Sequence, residues 1–113
     1  MLSKVNRLKK GKDFKKVFEE GRGFKEGPLY LKIKESNLAY SRFGFTISKK
    51  VSKKAVIRNR IKRKLREVVR EKLPNLIKKV DGVIVVMPEF KEKELENLKE
   101  VIRKLFLKAK IIR

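Results

Sequence analysis

The run Ile57-Arg58-Asn59-Arg60-Ile61-Lys62-Arg63-Lys64-Leu65-Arg66-Glu67-Val68-Val69-Arg70 holds the side chains best suited to chemistry, and that chemistry is the binding of anions. From Lys49 to Lys72 there are twelve Lys or Arg against two Glu. At about 100° per residue, Ile57, Ile61, Leu65, Val68 and Val69 fall in one helical arc. Asn59, Lys62, Arg63, Arg66 and Arg70 gather in the arc beside it, with Arg60 and Lys64 further round. A guanidinium is a planar fork of donors that matches phosphate oxygens two at a time. An Asn among such forks adds hydrogen bonds to ribose or base edges. The competing reading is a solvated helix face, but no matching ladder of Glu offsets the repulsion here.

A second constellation is aromatic. Phe14 and Phe18 stand four residues apart, which places both rings on one side of a helix. A Phe pair at this spacing ordinarily belongs to a core. The alternative needs an open strand face nearby, and Tyr30, Lys32, Arg42, Thr46, Ser48 and Lys50 supply one. Rings flanked by cations form a stacking groove for single-stranded nucleic acid. Phe43 and Phe45 alternate onto the apolar face and are assigned to the core.

Catalytic signatures are nearly absent. The chain has no His and no Cys, so it offers no imidazole acid-base group, no Ser-His pair and no ordinary zinc site. No carboxylate pair is spaced to hold two metals, and Gly21-Arg22-Gly23 lacks the context of a phosphate loop. We therefore expect no catalytic residue in the protein, and no metal ligand is identified.

The elements that position these residues follow from periodicity. A first helix is expected over 12–20, ended by Gly21, and residues 22–28 read as a turn region with a short edge strand near Phe24. Leu29, Leu31 and Ile33 alternate with Tyr30, Lys32 and Lys34 in a strand over 29–34. A second alternating strand covers 42–50, adjacent to the first. A long helix capped by Ser52 runs to Leu73, where Pro74 stops it. Asp81-Gly82 reads as a turn before a strand over 83–87 that is buried on both faces. A last helix covers 91–110, acidic at its start and basic at its end, as the macrodipole favours. The result is an α+β fold, a two-layer α-β sandwich in which helix, strands, long helix, strand and helix surround a small four-stranded mixed sheet.

At 113 residues the chain is expected to be one RNA-binding domain covering 1–113. Its 34 basic and 13 acidic residues give a net charge of +21 and a pI near 10.5. So much like charge repels itself in a compact state unless a partner neutralises it, and nucleic acid is the usual partner. No membrane partner is expected. The longest apolar run, Val83 to Met87, is far short of the roughly 20 residues a span requires, and the basic helix keeps its apolar face for the sheet and lacks interfacial Trp. The N-terminus has no apolar signal region, and the absence of cysteine fits a cytoplasmic protein. The Lys- and Glu-rich composition resembles that of hyperthermophile proteins.

Ser48-Lys49-Lys50-Val51 followed by Arg58-Asn59-Arg60-Ile61-Lys62-Arg63 resembles the hallmark of the bacterial ribonuclease P protein subunit. Asp13-Phe14-Lys15-Lys16-Val17-Phe18-Glu19-Glu20-Gly21 resembles that family's N-terminal signature, and the order of elements matches over nearly the whole chain. The resemblance implies a left-handed crossover between the strand near Phe45 and that near Val85, against the usual right-handed rule. It implies that an RNA subunit is the catalyst, cutting the 5′ leader from precursor tRNA with Mg²⁺ held mainly by RNA. By motif, Arg58, Asn59, Arg60, Arg63 and Arg66 would face the catalytic RNA, joined by Lys62 and Arg70. Phe14 and Phe18 would line the leader cleft with the strand face of Tyr30, Lys32, Arg42, Thr46, Ser48 and Lys50. No protein partner is evident. A ribosomal or general RNA-binding protein without a role in cleavage explains the charge equally well but not the paired motifs. A self-sufficient nuclease is disfavoured by the missing histidines.

Overall fold

A computed structural model describes residues 2–113. After a 3-10 turn at Lys4–Asn6 come α1 (Gly11–Glu20), β1 (Arg22–Glu26), β2 (Leu29–Glu35), β3 (Arg42–Ile47), α2 (Ala55–Lys72), β4 (Val80–Val86) and α3 (Leu98–Lys108). The strands form one mixed sheet in the order β1-β2-β4-β3, with β3 and β4 parallel and the other pairs antiparallel. The α+β sandwich with its four-stranded sheet is the expected fold. β3 reaches β4 through α2, the crossover that parallel neighbours require.

The expected adjacency of the second and third strands is not found, because β4 lies between β2 and β3. Central placement suits β4, whose residues have apolar surroundings on both sides. Val80, Ile84 and Val86 join the main core with Leu29, Leu31, Ile33 and Phe43. Val83 instead meets Leu8 and Val17 on the second face, flanked by Phe14 and Val85. α2 and α3 cover the main-core face through Ile61, Leu65, Val68, Val69, Leu98, Ile102, Leu105 and Phe106, all buried. α1 and the N-terminal arm cover only part of the other.

Local signals were overridden in several places. Asp81 and Gly82 are not a turn but the second and third residues of β4, and Met87 lies outside it. Gly82 is required for space: a Cβ there would stand 2.7 Å from the Phe43 ring, which stacks on Phe106 at 5.6 Å. Residues 22–26 form a full edge strand, since pairing with β2 satisfies a backbone that side-chain pattern alone left undecided. The hairpin closes through Gly27, at φ +55°, and Pro28, a two-residue loop that needs glycine first. β3 ends at Ile47, so Ser48 and Lys50 belong to the following turn. Ser52 does not cap α2, which begins at Ala55; its hydroxyl accepts from the Lys54 N–H at 3.2 Å. Residues 92–97 are a 3-10 segment, and α3 starts only at Leu98.

Phe106→Ala should lower unfolding free energy by about 3–5 kcal/mol, because the ring is fully buried in the main core. Phe18→Ala, at a ring 40% exposed, should stay within about 1 kcal/mol of wild type. Urea denaturation followed by far-UV circular dichroism measures both.

Candidate RNA interface

α2 presents its cations because its apolar arc is committed elsewhere. Ile61, Leu65, Val68 and Val69 are buried against the sheet, which leaves Asn59, Arg60, Arg63, Lys64 and Arg70 exposed and Arg58, Lys62 and Arg66 half-buried. The arc divides by partner. Arg58 donates to the Ser52 carbonyl at 2.8 Å, which fixes it against the approach to the helix. Arg60 lies further round and donates to Glu92 at 2.8 Å, with both side chains more than half exposed. Such a pair contributes little to stability. Lys62, Arg63, Arg66 and Arg70 have no carboxylate partner among the described residues.

Lys62 and Arg66 point toward the N-terminal arm. With Arg7, Lys9, Phe14, Gly44 and Phe45 they line a cavity of about 340 Å³ beside the β3 edge. The arm is held there by its backbone: Leu8 N–H donates to the Phe43 carbonyl at 2.9 Å, and Arg7 forms a bridge with Phe43. Arg7 Nε donates to the Leu2 carbonyl at 2.9 Å. Arg66 Nε is buried and has no hydrogen-bond partner. Burial pulls the Arg66 pKa below the usual guanidinium value, and the charge of Arg7 adds to the effect. Four cations face this space with no carboxylate lining it, an arrangement that an anionic oxygen would relieve. The sequence analysis does not place Arg7 and Lys9 in the site. Their contribution depends on the arm lying along β3, which no local pattern signals.

On the second face of the sheet, register orders the side chains into cross-strand rows. One row is Lys25, Tyr30, Val85 and Thr46; the next is Gly23, Lys32, Val83 and Gly44. The two glycines of the latter row are ring seats. A Cβ on Gly44 would collide with the Phe14 ring, and one on Gly23 would collide with the Tyr30 ring. Tyr30 of β2 thus lies across β1 and Phe14 of α1 lies on β3, and the seats are three strand spacings apart, about 14 Å. α1 passes over this face with Val17 buried on Val83. Phe18, 40% exposed, stands one helical turn beyond Phe14. Thr46 is exposed, while Tyr30, Lys32 and Val85 are half-buried. Rings, cations and an apolar floor are what stacking and backbone contacts to a single strand require.

Not every expected residue joins this face. Arg42 shares the sheet face but sits at the far end of it, where Nε and Nη2 donate to Asp81 at 3.0 and 2.7 Å and Nη1 to Asp13 at 3.4 Å. The bond to Asp81 raises its pKa, and its donors are already engaged. Ser48 and Lys50 lie past the strand end; Ser48 Oγ accepts from the Lys50 N–H at 3.2 Å. Lys50 borders a separate shallow groove with Ile57, Phe90 and Glu92. Phe14, Tyr30, Lys32 and Thr46 share this sheet face, and Phe18 follows Phe14 by one turn on α1.

Among the described residues no group of three or more His, Cys, Asp or Glu could hold a metal ion, and no helix is long and apolar enough to cross a membrane.

A sequence model of the family described as Ribonuclease P matches residues 2–110. The ribonuclease P protein component of Rippkaea orientalis is 40% identical, covering 98% of this chain and 91% of that one. That of Alkaliphilus metalliredigens is 36% identical, over 95% and 96%. Among solved structures, the RNase P protein of Thermotoga maritima superimposes with a TM-score of 0.69 at 27% identity, covering 91% of this chain and 93% of that one. The Staphylococcus aureus RNase P protein shares the fold, with a TM-score of 0.84 at 21% identity over 97% and 100%. Two sequence motifs, a cationic helix beside an aromatic sheet face, and these likenesses over nearly the full length agree: the chain belongs to the ribonuclease P protein family.

Proposed function

We propose that this chain is the protein subunit of a ribonuclease P, the endoribonuclease that matures the tRNA 5′ end, and that it holds two RNAs at once. In this reading Arg58, Asn59, Arg60, Lys62, Arg63, Arg66 and Arg70 face the catalytic RNA, with Arg7 and Lys9 added from the arm. Phe14, Phe18, Tyr30, Lys32 and Thr46 receive the 5′ leader of precursor tRNA. The observation that carries the proposal is the position of Phe14. Its ring lines the cationic cavity with Lys62 and Arg66 and also sits on Gly44 of the open sheet face. The two surfaces are therefore continuous, and a strand leaving one passes directly onto the other.

The protein's part is electrostatic and positional. Each phosphate neutralised releases condensed counterions and removes repulsion between the RNAs. Rings already resting on the sheet lose little freedom when a base stacks on them. Mg²⁺, where bound, would supply activation of water and charge stabilisation at phosphate oxygens. The described residues form no carboxylate cluster that fits it, so its ligands are assigned to RNA and no step is derived through it.

Reconstitution tests the proposal directly. Added to a bacterial ribonuclease P RNA at low Mg²⁺, the protein should restore 5′ cleavage of precursor tRNA; no stimulation would defeat the assignment. Arg63→Ala with Arg66→Ala should weaken association with that RNA and make the slope of log K against log salt shallower by roughly 1–2, read by filter binding across a salt series. Phe18→Ala should lower affinity for precursor over mature tRNA by about tenfold, from the loss of one stack. Gly44→Val should lower the same ratio by displacing Phe14.

A further inference from the structure

α1 carries Phe14 and Phe18, yet it is poorly anchored by apolar contacts. Of its ten residues only Val17 is buried, and a helix this short has little stability of its own. Its two ends are held by other means. At the C-terminal end Gly21 comes so close to the β2 backbone that a Cβ would stand 2.5 Å from the Ile33 carbonyl oxygen. At the N-terminal end Asp13 meets Arg42, which is itself held bidentately by Asp81. Arg42 and Asp81 are cross-strand partners in β3 and β4, so the guanidinium is fixed to the sheet before the helix docks on it.

We infer that the Asp13–Arg42–Asp81 bridge is a positioning device for leader recognition, seating α1 so that Phe14 lies on Gly44 and Phe18 projects over the open sheet face. The inference builds on the proposed leader site. Register makes the connection short. Asp13 and Phe14 are consecutive in α1, Arg42 and Gly44 are alternate residues of β3, and the ionic contact therefore stands beside the ring seat. The bridge lies in a partly screened setting, with side chains 22% (Arg42), 22% (Asp13) and 13% (Asp81) exposed. The raised pKa of Arg42 follows from the same contacts. A fork held on both prongs sets direction as well as distance, which a lysine ammonium does not. These three residues touch no RNA in this assignment; they act through Phe14 and Phe18.

The test uses the reconstituted holoenzyme with two precursors, one with a leader of about ten nucleotides, a length that a stacking groove of this kind occupies, and one with a single-nucleotide leader. Asp13→Asn should raise KM for the long leader about fivefold, leave kcat at saturation unchanged, and leave the short-leader KM unchanged. Asp13→Glu, which keeps the charge, should restore most of the loss. Arg42→Lys keeps the Asp13 charge at the helix start and removes the fork. It should give the same leader-dependent rise, which a role for Asp13 in the helix dipole alone would not, and it serves if Asp13→Asn fails to fold. Equal losses on both precursors, or none on either, would overturn the positioning role. Phe18→Ala is the control for the site itself. If it raises the long-leader KM while both bridge variants do not, only the bridge is wrong; if it also has no effect, the leader site is wrong.

Discussion

Thirteen carboxylates cannot neutralise thirty-four cations, and the surface that stays positive is decided by where the few carboxylates go. Five of them pair away from the exposed arc of α2: Glu20 with Lys34, Glu26 with Lys108, Glu35 with Lys78, Glu89 with Lys25, and Glu100 with Arg103. Glu71, in the last turn of α2, turns to Lys99 of α3. Individually these exposed pairs stabilise the fold very little. Their collective effect is spatial. Lys62, Arg63, Arg66 and Arg70 are left without a carboxylate among the described residues, so repulsion persists along this arc and a polyanion would relieve it there.

The second constraint is steric and comes from the central strand. β4 is apolar on both faces, which permits helices over one face and partial cover over the other. Partial cover is what makes a binding face possible. Glycines at 23 and 44 then let aromatic rings lie close to the sheet instead of standing away from it. Rings so placed stand close to where they would accept a base in the proposed role. The open face is thus largely shaped in the free protein, so in the proposed role little binding energy would go to ordering it.

Much of this was legible in the residues. The arc of α2, the Phe14–Val17–Phe18 face of α1 and the doubly buried β4 all follow from period 3.6 or from an unbroken apolar run, signals that survive tertiary context. What was not legible depends on contacts between distant segments. β4 inserts between β2 and β3, and no local pattern encodes strand order. Asp81-Gly82 has turn chemistry, yet Asp81 is held by Arg42 and Gly82 makes room for Phe43, so pairing wins. Arg42 alternates onto the correct face but is consumed by two carboxylates contributed by other elements. Arg7 and Lys9 reach the site only because the arm lies along the β3 edge. Ser48 and Lys50 continue the alternation of β3 on paper, whereas the chain has already turned toward α2.

The two proposed RNA surfaces also differ in stiffness, and the difference suits their tasks. α2 buries Ile61, Leu65, Val68, Val69 and Lys72, whereas α1 buries Val17 alone. Elements with few buried contacts open at low free-energy cost, while those rooted in the core move only with global unfolding. A folded catalytic RNA presents a fixed array of phosphates, and a rigid cationic helix can be matched to it without adjustment. A single-stranded leader varies in sequence from one precursor to the next, so purines and pyrimidines of different size must fit the same rings. A helix seated by Val17, the partly buried Phe14 ring, a close backbone approach and an ionic bridge can tilt slightly to admit either, while still returning Phe14 to Gly44. Tolerance of leader sequence, in this view, is a mechanical property of a lightly anchored helix and not only a consequence of missing base-specific contacts.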